Sequence, residues 1–275
     1  MLTRCKPLLG TFVEITVPEA AAAAVDGAFA AIADVHARMS FHNEDSDLAA
    51  LRNARCGLVV EVAPQTVEVL RIALDLYRDS NGLFDVTIGH ELVRSGFLPR
   101  PEGTIPFACP GTSADIEIVD DCRVRCHKAM LIDLGGIAKG FAVDRAVAAL
   151  KTAGVPEALV NAGGDLRMFG AREWNVQLRD GDGALGMTIA LADCAIASSS
   201  NAGWRRRRIG RLRTPHIGRG RVAVAAPARV SVIAERCVIA DALTKVAIAA
   251  PEIAHEMITR YGGRILRESD LGKAA

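Results

Sequence analysis

Apolar and polar residues recur at regular intervals along most of this chain, and these patterns predict both strands and helices. From Phe12 to Val17 apolar side chains alternate with polar ones, which is the period of a half-buried strand. From Ala20 to Met39 they recur at helical spacing, and a second helix is predicted to begin at Pro64. A third helical pattern begins at Ala138 and ends before Gly154.

Shorter patterns complete the prediction. Strands are expected at Leu58–Val62, Ile116–Val119, Arg123–Cys126, Met130–Asp133, Ala158–Val160, Trp174–Leu178, Met187–Leu191, Cys194–Ala197, Val230–Ala234 and Arg264–Leu266. Helices are expected at Leu48–Asn53, at Val238–Ala250 and from Pro251, and Ser198–Ser200 is interpreted as a loop at a strand end. Strands and helices do not alternate strictly, so the pattern favours a mixed α+β fold.

Composition narrows the class of protein. Half of the 275 residues are hydrophobic, which is enough for a sizeable core, and the net charge of +1 indicates no polyanionic partner. The seven cysteines contain no Cys-x-x-Cys pair, so reduced thiols are expected. No apolar h-region follows Met1 and no run of 18 apolar residues occurs. We therefore predict a cytoplasmic protein without a membrane span.

The segment from Arg205 to Arg221 stands apart because it carries eight arginines. Three interpretations remain open: a solvated loop, a surface for an acidic partner or for ligand phosphates, and a nucleic-acid site. Trp204 is the one aromatic residue beside it, so the stacking series typical of single-strand binding is missing. We predict no nucleic-acid partner.

Glycine turns and isolated carboxylates provide the candidate chemistry. The turn at Gly135–Lys139 leads into a helix N-terminus, which suits a phosphate, and Lys139 adds a cation. A second turn ends at Asp165, and Asp241 lies near a helix start. These groups suit a nucleotide-type ligand with a divalent cation. The alternatives to a ligand site are glycine turns that serve packing only and, for Asp241, a simple charge near a helix start. Asp85 follows a turn and either accepts hydrogen bonds from a ligand or caps the next segment.

Several of these motifs occur together and in order. They are Leu9-Gly10-Thr11, Met39-Ser40-Phe41 followed by Asp45-Ser46 and Asn53, Gly82-Leu83-Phe84-Asp85-Val86-Thr87-Ile88-Gly89, Ile132-Asp133-Leu134-Gly135-Gly136-Ile137-Ala138-Lys139-Gly140, Gly163-Gly164-Asp165 and Ala240-Asp241-Ala242-Leu243. In this set the chain resembles the FAD:protein FMN transferases of the ApbE type. The likeness covers nearly the whole chain and predicts one domain over residues 1–275.

The resemblance implies a T-fold-like α+β domain with mixed or antiparallel sheets and packed helices. It implies an enzyme that moves FMN from FAD to a Ser or Thr of an acceptor flavoprotein and releases AMP, which is protein flavinylation. The implied FAD-binding residues are Leu9, Met39, Ser40, Phe41, Asp85 and Lys139. The implied metal ligands, for Mg²⁺, are the Gly136 carbonyl and the Asp241 carboxylate. Asp241, Lys245 and His216 are the catalytic candidates.

Two departures from the family pattern lie at its phosphate end. The family has a threonine ligand where this chain has Lys245, and His216 is not followed by the family's Asp-Pro. Because residues four apart share a helix face, we predict that Lys245 pairs with Asp241 or with the FAD phosphates, and that Mg²⁺ binding is weak or absent. The alternatives to transfer are an FAD-binding relative acting as carrier, sensor or assembly partner, and an FAD pyrophosphatase.

Overall fold

The computed structural model describes residues 1–102, 110–179, 184–201, 203, 206–208, 211–226 and 229–267. The strands, numbered along the chain, are β1 (Leu2–Leu8), β2 (Thr11–Val17), β3 (Val59–Glu61), β4 (Ile116–Ile118), β5 (Arg123–Cys126), β6 (Ala158–Ala162), β7 (Asp165–Phe169), β8 (Trp174–Arg179), β9 (Leu185–Leu191), β10 (Ala195–Ser200), β11 (Arg206–Arg208), β12 (Arg211–Arg213), β13 (Ile217–Gly218), β14 (Val222–Ala223), β15 (Arg229–Ala234) and β16 (Arg264–Arg267). The helices are α1 (Val25–Met39), α2 (Asp47–Asn53), α3 (Pro64–Asp79), α4 (Gly89–Ser95), α5 (Ala138–Thr152), α6 (Cys237–Ala249) and α7 (Pro251–Arg260).

The chain divides into two structural units, each built from segments that are distant in sequence. The first unit comprises Met1–His36, Ile137–Gly203 and Ala226–Ala275, and the second comprises Ala37–Gly136 and Trp204–Ala225. The single domain expected over residues 1–275 stays a prediction.

The first unit is a seven-stranded antiparallel sheet with helices packed on it. Its strand order is β1-β2-β6-β7-β10-β15-β16. Helix α5 packs against β6 and β7, and α6 packs against α5, β10 and β15. Met168 and Ile196 are fully buried in a cluster beside the β8–β9 hairpin. The sheet therefore supports the α5–α6 pair, and the antiparallel strands with packed helices make this unit α+β.

The periodic segments adopt the structure that their patterns predict. In β2, Val13, Ile15 and Val17 are fully buried, whereas Phe12 and Glu14 are exposed. Helix α5 buries its apolar face and ends at Thr152, after which Gly154 turns the chain at a φ of +76°. Both elements are anchored by burial of apolar area, at roughly 25 cal/mol per Å².

The second unit has a three-stranded sheet of order β3-β5-β4, two short hairpins, and helices α2, α3 and α4. Helix α2 begins after Ser46, whose side-chain oxygen accepts a hydrogen bond from the Ala49 amide at 3.1 Å. Helix α3 starts at Pro64, as its sequence predicts, and buries Val67 and Leu70.

Two expectations about strands and loops were wrong, and one strand was missed. The predicted strand at Met130–Asp133 is an irregular buried segment joined to Ile88 by a single bridge at Leu131. Helix α4 begins directly after Ile88, so the pairing with Leu131 does not continue into a ladder of strands. Ser198–Ser200 continue β10 instead of forming a loop, because they pair with β15. Strand β1 was not predicted, since most of its side chains are exposed at the sheet edge and give no apolar alternation.

One helical stretch in the described part of the chain, Glu19–Met39, is long and apolar enough to cross a bilayer by length and composition alone. A core helix of a water-soluble domain or a signal sequence meets the same criterion. Val25, Phe29 and Ile32 of this stretch are buried in the protein. The absence of a membrane span stays a prediction.

Candidate functional site

Four charged side chains of the first unit form a cluster where α5, β7 and α6 approach one another. Lys139 lies in the first turn of α5, Asp165 begins β7 after the Gly163–Gly164 turn, and Asp241 and Lys245 lie one turn apart on α6. We call these four residues the charge cluster. Its aspartates are buried, with 1% of the Asp165 side chain and none of the Asp241 side chain exposed.

Lys139 pairs with Asp165, to which its Nζ donates a hydrogen bond. About a third of the Lys139 side chain stays exposed, whereas its carboxylate partner is buried. The Gly163 turn that places Asp165 needs glycine: its φ is +64°, and an added Cβ would lie 2.5 Å from Thr11 Oγ1. The turn of the β1–β2 hairpin, which carries Leu9, therefore lies at the same end of the sheet as Asp165.

Asp241 joins α6 to the start of α5. Its Oδ2 accepts a hydrogen bond from the Gly140 amide at 3.0 Å, and its Oδ1 accepts one from Lys245 Nζ at 2.5 Å. The glycine turn at Gly135–Lys139 was expected to offer backbone amides to a phosphate. At Gly140 that place is taken by a carboxylate of the protein itself, which suits the positive end of the helix dipole.

Glycine at position 140 is required by the close approach of the two helices. An ideal Cβ there would lie 2.4 Å from the Cys237 carbonyl oxygen and 2.8 Å from Asp241 Cβ. Because that space is filled by backbone, Gly140→Ala is expected to lower the free energy of unfolding by about 1–3 kcal/mol.

Urea unfolding followed by circular dichroism measures this effect. The control is Gly27→Ala in α1, where an added Cβ meets no atom within 4 Å. This control is expected to be neutral or to stabilise the protein by up to about 1 kcal/mol, as alanine favours helices over glycine. Equal loss of stability in both variants would contradict the close crossing at Gly140.

Lys245 completes the cluster, and the predicted pairing with Asp241 is confirmed. Besides Asp241 Oδ1, its Nζ contacts the Asp241 carbonyl oxygen at 3.2 Å, Ser199 Oγ at 2.9 Å and Thr244 Oγ1 at 3.0 Å. A quarter of its side chain is exposed. The alternative for Asp241, a simple charge at a helix start, is wrong because the residue lies beyond the first turn of α6 and faces α5.

The four groups shift one another's protonation. Burial by itself lowers the pKa of Lys139, but the charges of Asp241 and Asp165 outweigh it and raise that pKa. Burial also raises the pKa of Asp165, and the neighbouring Asp241 charge adds to the rise. Burial acts upward on Asp241 too, yet Lys139 and Lys245 prevail and lower its pKa. At neutral pH Lys139 is therefore held as a cation and Asp241 as an anion.

A divalent cation does not fit Asp241 in this arrangement. Mg²⁺ requires oxygen ligands at about 2.0–2.1 Å in octahedral geometry. One carboxylate oxygen of Asp241 is held by the Lys245 ammonium and the other by the Gly140 amide. A metal ion at Asp241 would be repelled by the positive charge of Lys245, so these residues do not fit a bound Mg²⁺.

The remaining expected FAD-binding residues lie in the second unit, apart from Leu9. Met39 and Phe41 are buried, and Ser40 Oγ accepts a hydrogen bond from the His42 amide at 3.3 Å. The Arg52 guanidinium lies 5.6 Å from the Phe41 ring centre. Leu9, in the first unit, has a φ of +56°, an uncommon left-handed conformation for a residue other than glycine. Their role toward FAD stays a prediction.

Asp85 organises a polar network within the second unit. Its Oδ1 accepts hydrogen bonds from the hydroxyls of Thr87 and Ser113, both at 2.8 Å, and its Oδ2 accepts one from Arg221 at 2.7 Å. Arg221 also pairs with Glu91 at 3.3 Å. Asp85 also accepts a local hydrogen bond from the Thr87 amide at 2.9 Å, but helix α4 has Ile88 at its N-cap and receives no side-chain cap. The role of Asp85 toward FAD stays a prediction.

Arg221 tests one of the three interpretations of the arginine-rich segment, namely that it is a solvated loop. Its side chain is only 24% exposed and is paired, so the solvated-loop interpretation is wrong for this residue. Described parts of the segment form the β11–β12 and β13–β14 hairpins. Arg205 lies outside the described residues.

Gly136 and His216 also belong to the second unit. The His216 carbonyl accepts hydrogen bonds from the Val224 amide and the Thr214 hydroxyl, so the residue is fixed at the base of the β13–β14 hairpin. The predicted metal-ligand role of Gly136 and the catalytic role of His216 stay predictions.

Sequence reasoning did not select Asp165 of the charge cluster, or Ser199 and Thr244, whose hydroxyls contact Lys245. Asp165 was noticed only as the end of a glycine turn, and Ser199 was assigned to a loop. Thr244 Oγ1 lies 2.8 Å from Ser199 Oγ. Asp165 could have been chosen as a buried carboxylate after a Gly-Gly turn, whereas Ser199 reaches Lys245 across 46 residues and has no local signal.

Comparison with known proteins places this chain in a known family. A model of the ApbE family matches residues 9–265. Two proteins named FAD:protein FMN transferase, from Haemophilus influenzae and Treponema pallidum, are 28% identical over 193 and 206 residues. These matches cover 62% and 64% of this chain and 56% and 57% of the relatives. The chain thus spans little more than half the length of these relatives.

Solved structures agree in fold. The flavinyl transferase ApbE from Pseudomonas stutzeri, in its apo form, superposes with a TM-score of 0.82 at 21% identity, covering 98% of this chain and 92% of that one. The ApbE protein from Thermotoga maritima also gives 0.82, at 24% identity, covering 97% and 93%. The predicted α+β class is confirmed.

Proposed function

This chain belongs to the ApbE family, and from that we propose that it is an FAD:protein FMN transferase. Its substrates are FAD and an acceptor flavoprotein with a Ser or Thr hydroxyl, and its products are the flavinylated acceptor and AMP. The relatives that carry this name support the assignment. A cytoplasmic location remains our prediction from the sequence.

The observation that carries the proposal is the orientation of charge in the cluster. Its carboxylates are buried, while Lys139 and Lys245 keep about a third and a quarter of their side chains exposed. An approaching ligand therefore meets the two lysine side chains before it meets the carboxylates. A pyrophosphate is the part of FAD that such a pair would bind, because charge-assisted hydrogen bonds to phosphate oxygens are stronger than neutral ones.

The chemistry is a substitution at phosphorus. The acceptor hydroxyl oxygen forms a bond to the phosphorus on the flavin side of the pyrophosphate, and the bond from that phosphorus to the bridging oxygen breaks. AMP leaves with the electron pair, and the hydroxyl proton is released. Positioning and neutralisation of phosphate charge contribute most of the catalysis in phosphoryl transfer.

The residues of the cluster divide into two roles in this proposal. Lys139 holds the pyrophosphate oxygens, and the positive charge of Lys245, whose protons are donated to protein oxygens, helps to offset the negative charge that builds on the leaving AMP. Asp165 and Asp241 are positioning residues, since each holds one of the lysines. FAD selectivity over riboflavin follows, because riboflavin has no phosphate for the lysines.

The test is an incubation of the purified protein with FAD and a flavin-accepting domain taken from a substrate of a related transferase. We expect AMP by chromatography and a flavin-labelled acceptor by in-gel fluorescence and mass spectrometry. AMP without any labelled acceptor would instead identify an FAD pyrophosphatase. Bound FAD without AMP would identify a non-transferring relative and would overturn the proposal.

A further inference from the structure

The Lys245 ammonium lies within a set of four oxygen atoms. They are the carboxylate and the carbonyl of Asp241, Ser199 Oγ and Thr244 Oγ1, at 2.5, 3.2, 2.9 and 3.0 Å from Nζ. An ammonium has three protons to donate, so these oxygens satisfy it completely. We call the four oxygens the oxygen cage.

The donors of the oxygen cage are those that proteins use for hard cations. Carboxylate, carbonyl and hydroxyl oxygens bind Mg²⁺ and Ca²⁺, and no nitrogen or sulfur donor takes part. In this chain the cation is covalently attached as the end of a side chain. Its charge is +1 in place of +2, and it cannot dissociate.

The oxygen cage is held by contacts that do not involve the lysine. The Thr244 hydroxyl donates a hydrogen bond to the Asp241 carbonyl at 2.7 Å and lies 2.8 Å from Ser199 Oγ. Thr244 is fully buried, and Asp241 keeps its hydrogen bond from the Gly140 amide. Removal of the ammonium would therefore leave the oxygens in place around a vacated position.

We propose that Lys245 is a built-in cation that occupies a metal-type oxygen site, so that this chain binds no divalent cation at Asp241 and requires none there. The first half of this statement rests on the geometry of the oxygen cage. The second half rests on the proposed function, because it concerns FMN transfer.

The binding test uses the full chain without FAD. Mg²⁺ and Mn²⁺ are titrated by calorimetry into chelator-treated wild type, Lys245→Ala and Lys245→Thr. We expect no measurable binding at Asp241 in wild type and one new site in each variant. The affinity of the new site should exceed the detection limit set by wild type by about tenfold or more, because a like charge at contact distance is gone. The new site should disappear on adding Asp241→Asn.

The matched control is Lys6→Ala. Lys6 also pairs with an aspartate, Asp26 at 3.3 Å, but both of these side chains lie on the exposed surface. This variant is expected to gain no site. Mg²⁺ binding to wild type that Asp241→Asn removes would overturn the proposal, and so would folded Lys245 variants, judged by circular dichroism, that gain no site.

The transfer test compares AMP release by wild type in EDTA and in Mg²⁺. Equal rates support a built-in cation, and a rate that falls by more than about tenfold in EDTA would overturn the second half of the proposal. If wild type releases no AMP in either condition, the proposed function fails. The calorimetric result would still decide the first half.

Discussion

Asp144→Ala is expected to lower the free energy of unfolding by about 3–5 kcal/mol, the cost of removing one partner from a buried ion pair. Asp144 lies on α5, and its carboxylate accepts a hydrogen bond from the Arg167 guanidinium of β7 at 2.6 Å. Only 5% of the Asp144 side chain and 17% of the Arg167 side chain are exposed. The alanine variant would leave a largely buried guanidinium without its carboxylate.

The same carboxylate also caps helix α6. It accepts hydrogen bonds from the amides of Cys237 and Val238, both at 3.0 Å, while Arg236 at the N-cap position provides no side-chain cap. Alanine would leave these two amides unsatisfied, and an N-cap is worth about 1 kcal/mol. Because α6 carries Asp241 and Lys245, loss of this cap would also loosen the charge cluster.

Urea unfolding of the purified variants measures the effect. Asp144→Asn keeps one acceptor oxygen and is expected to lose less stability than Asp144→Ala. Asp26→Ala removes an exposed, paired aspartate and is expected to change stability little. An Asp144→Ala variant with the stability of Asp26→Ala would show that the carboxylate does not tie α5, β7 and α6 together.

Local periodicity was enough to predict most of the regular elements. Helix α5 and strand β2 can be predicted because their apolar side chains recur on one face, and Pro64 marks the start of α3. Strand β1 could not be found in this way, because an edge strand with exposed side chains is defined by its pairing with β2. Pairing partners are not visible in a single sequence.

The charge cluster shows the same limit. Asp241 and Lys245 are four residues apart on one helix, so their contact follows from helix geometry alone. The contacts of Lys139 with Asp165 and of Lys245 with Ser199 depend on how the sheet brings β7 and β10 under the two helices. The sequence motifs identified Lys139 as a functional candidate. Its partner Asp165 could be identified only from the folded structure.

Lys139→Ala is expected to weaken FAD binding by about tenfold or more, because a charge-assisted hydrogen bond is worth roughly 1.5–3 kcal/mol. Lys139 keeps about a third of its side chain exposed beside the buried Asp165 and Asp241. Its pKa is raised by these carboxylates against the effect of burial, so the group stays charged at neutral pH. Alanine removes this cation and leaves the local charge more negative, which repels a pyrophosphate.

Quenching of flavin fluorescence measures the affinity for FAD and for riboflavin in parallel. Riboflavin affinity should stay within about twofold in Lys139→Ala, since that ligand carries no phosphate to be lost. Lys151→Ala, at the far end of the same helix, should leave both affinities unchanged. If the single variant does not fold, Lys139→Ala combined with Asp165→Asn removes the unpaired carboxylate and keeps the comparison open. Unchanged FAD affinity in a folded variant would show that Lys139 serves only to neutralise Asp165, and that the phosphates of FAD are held elsewhere.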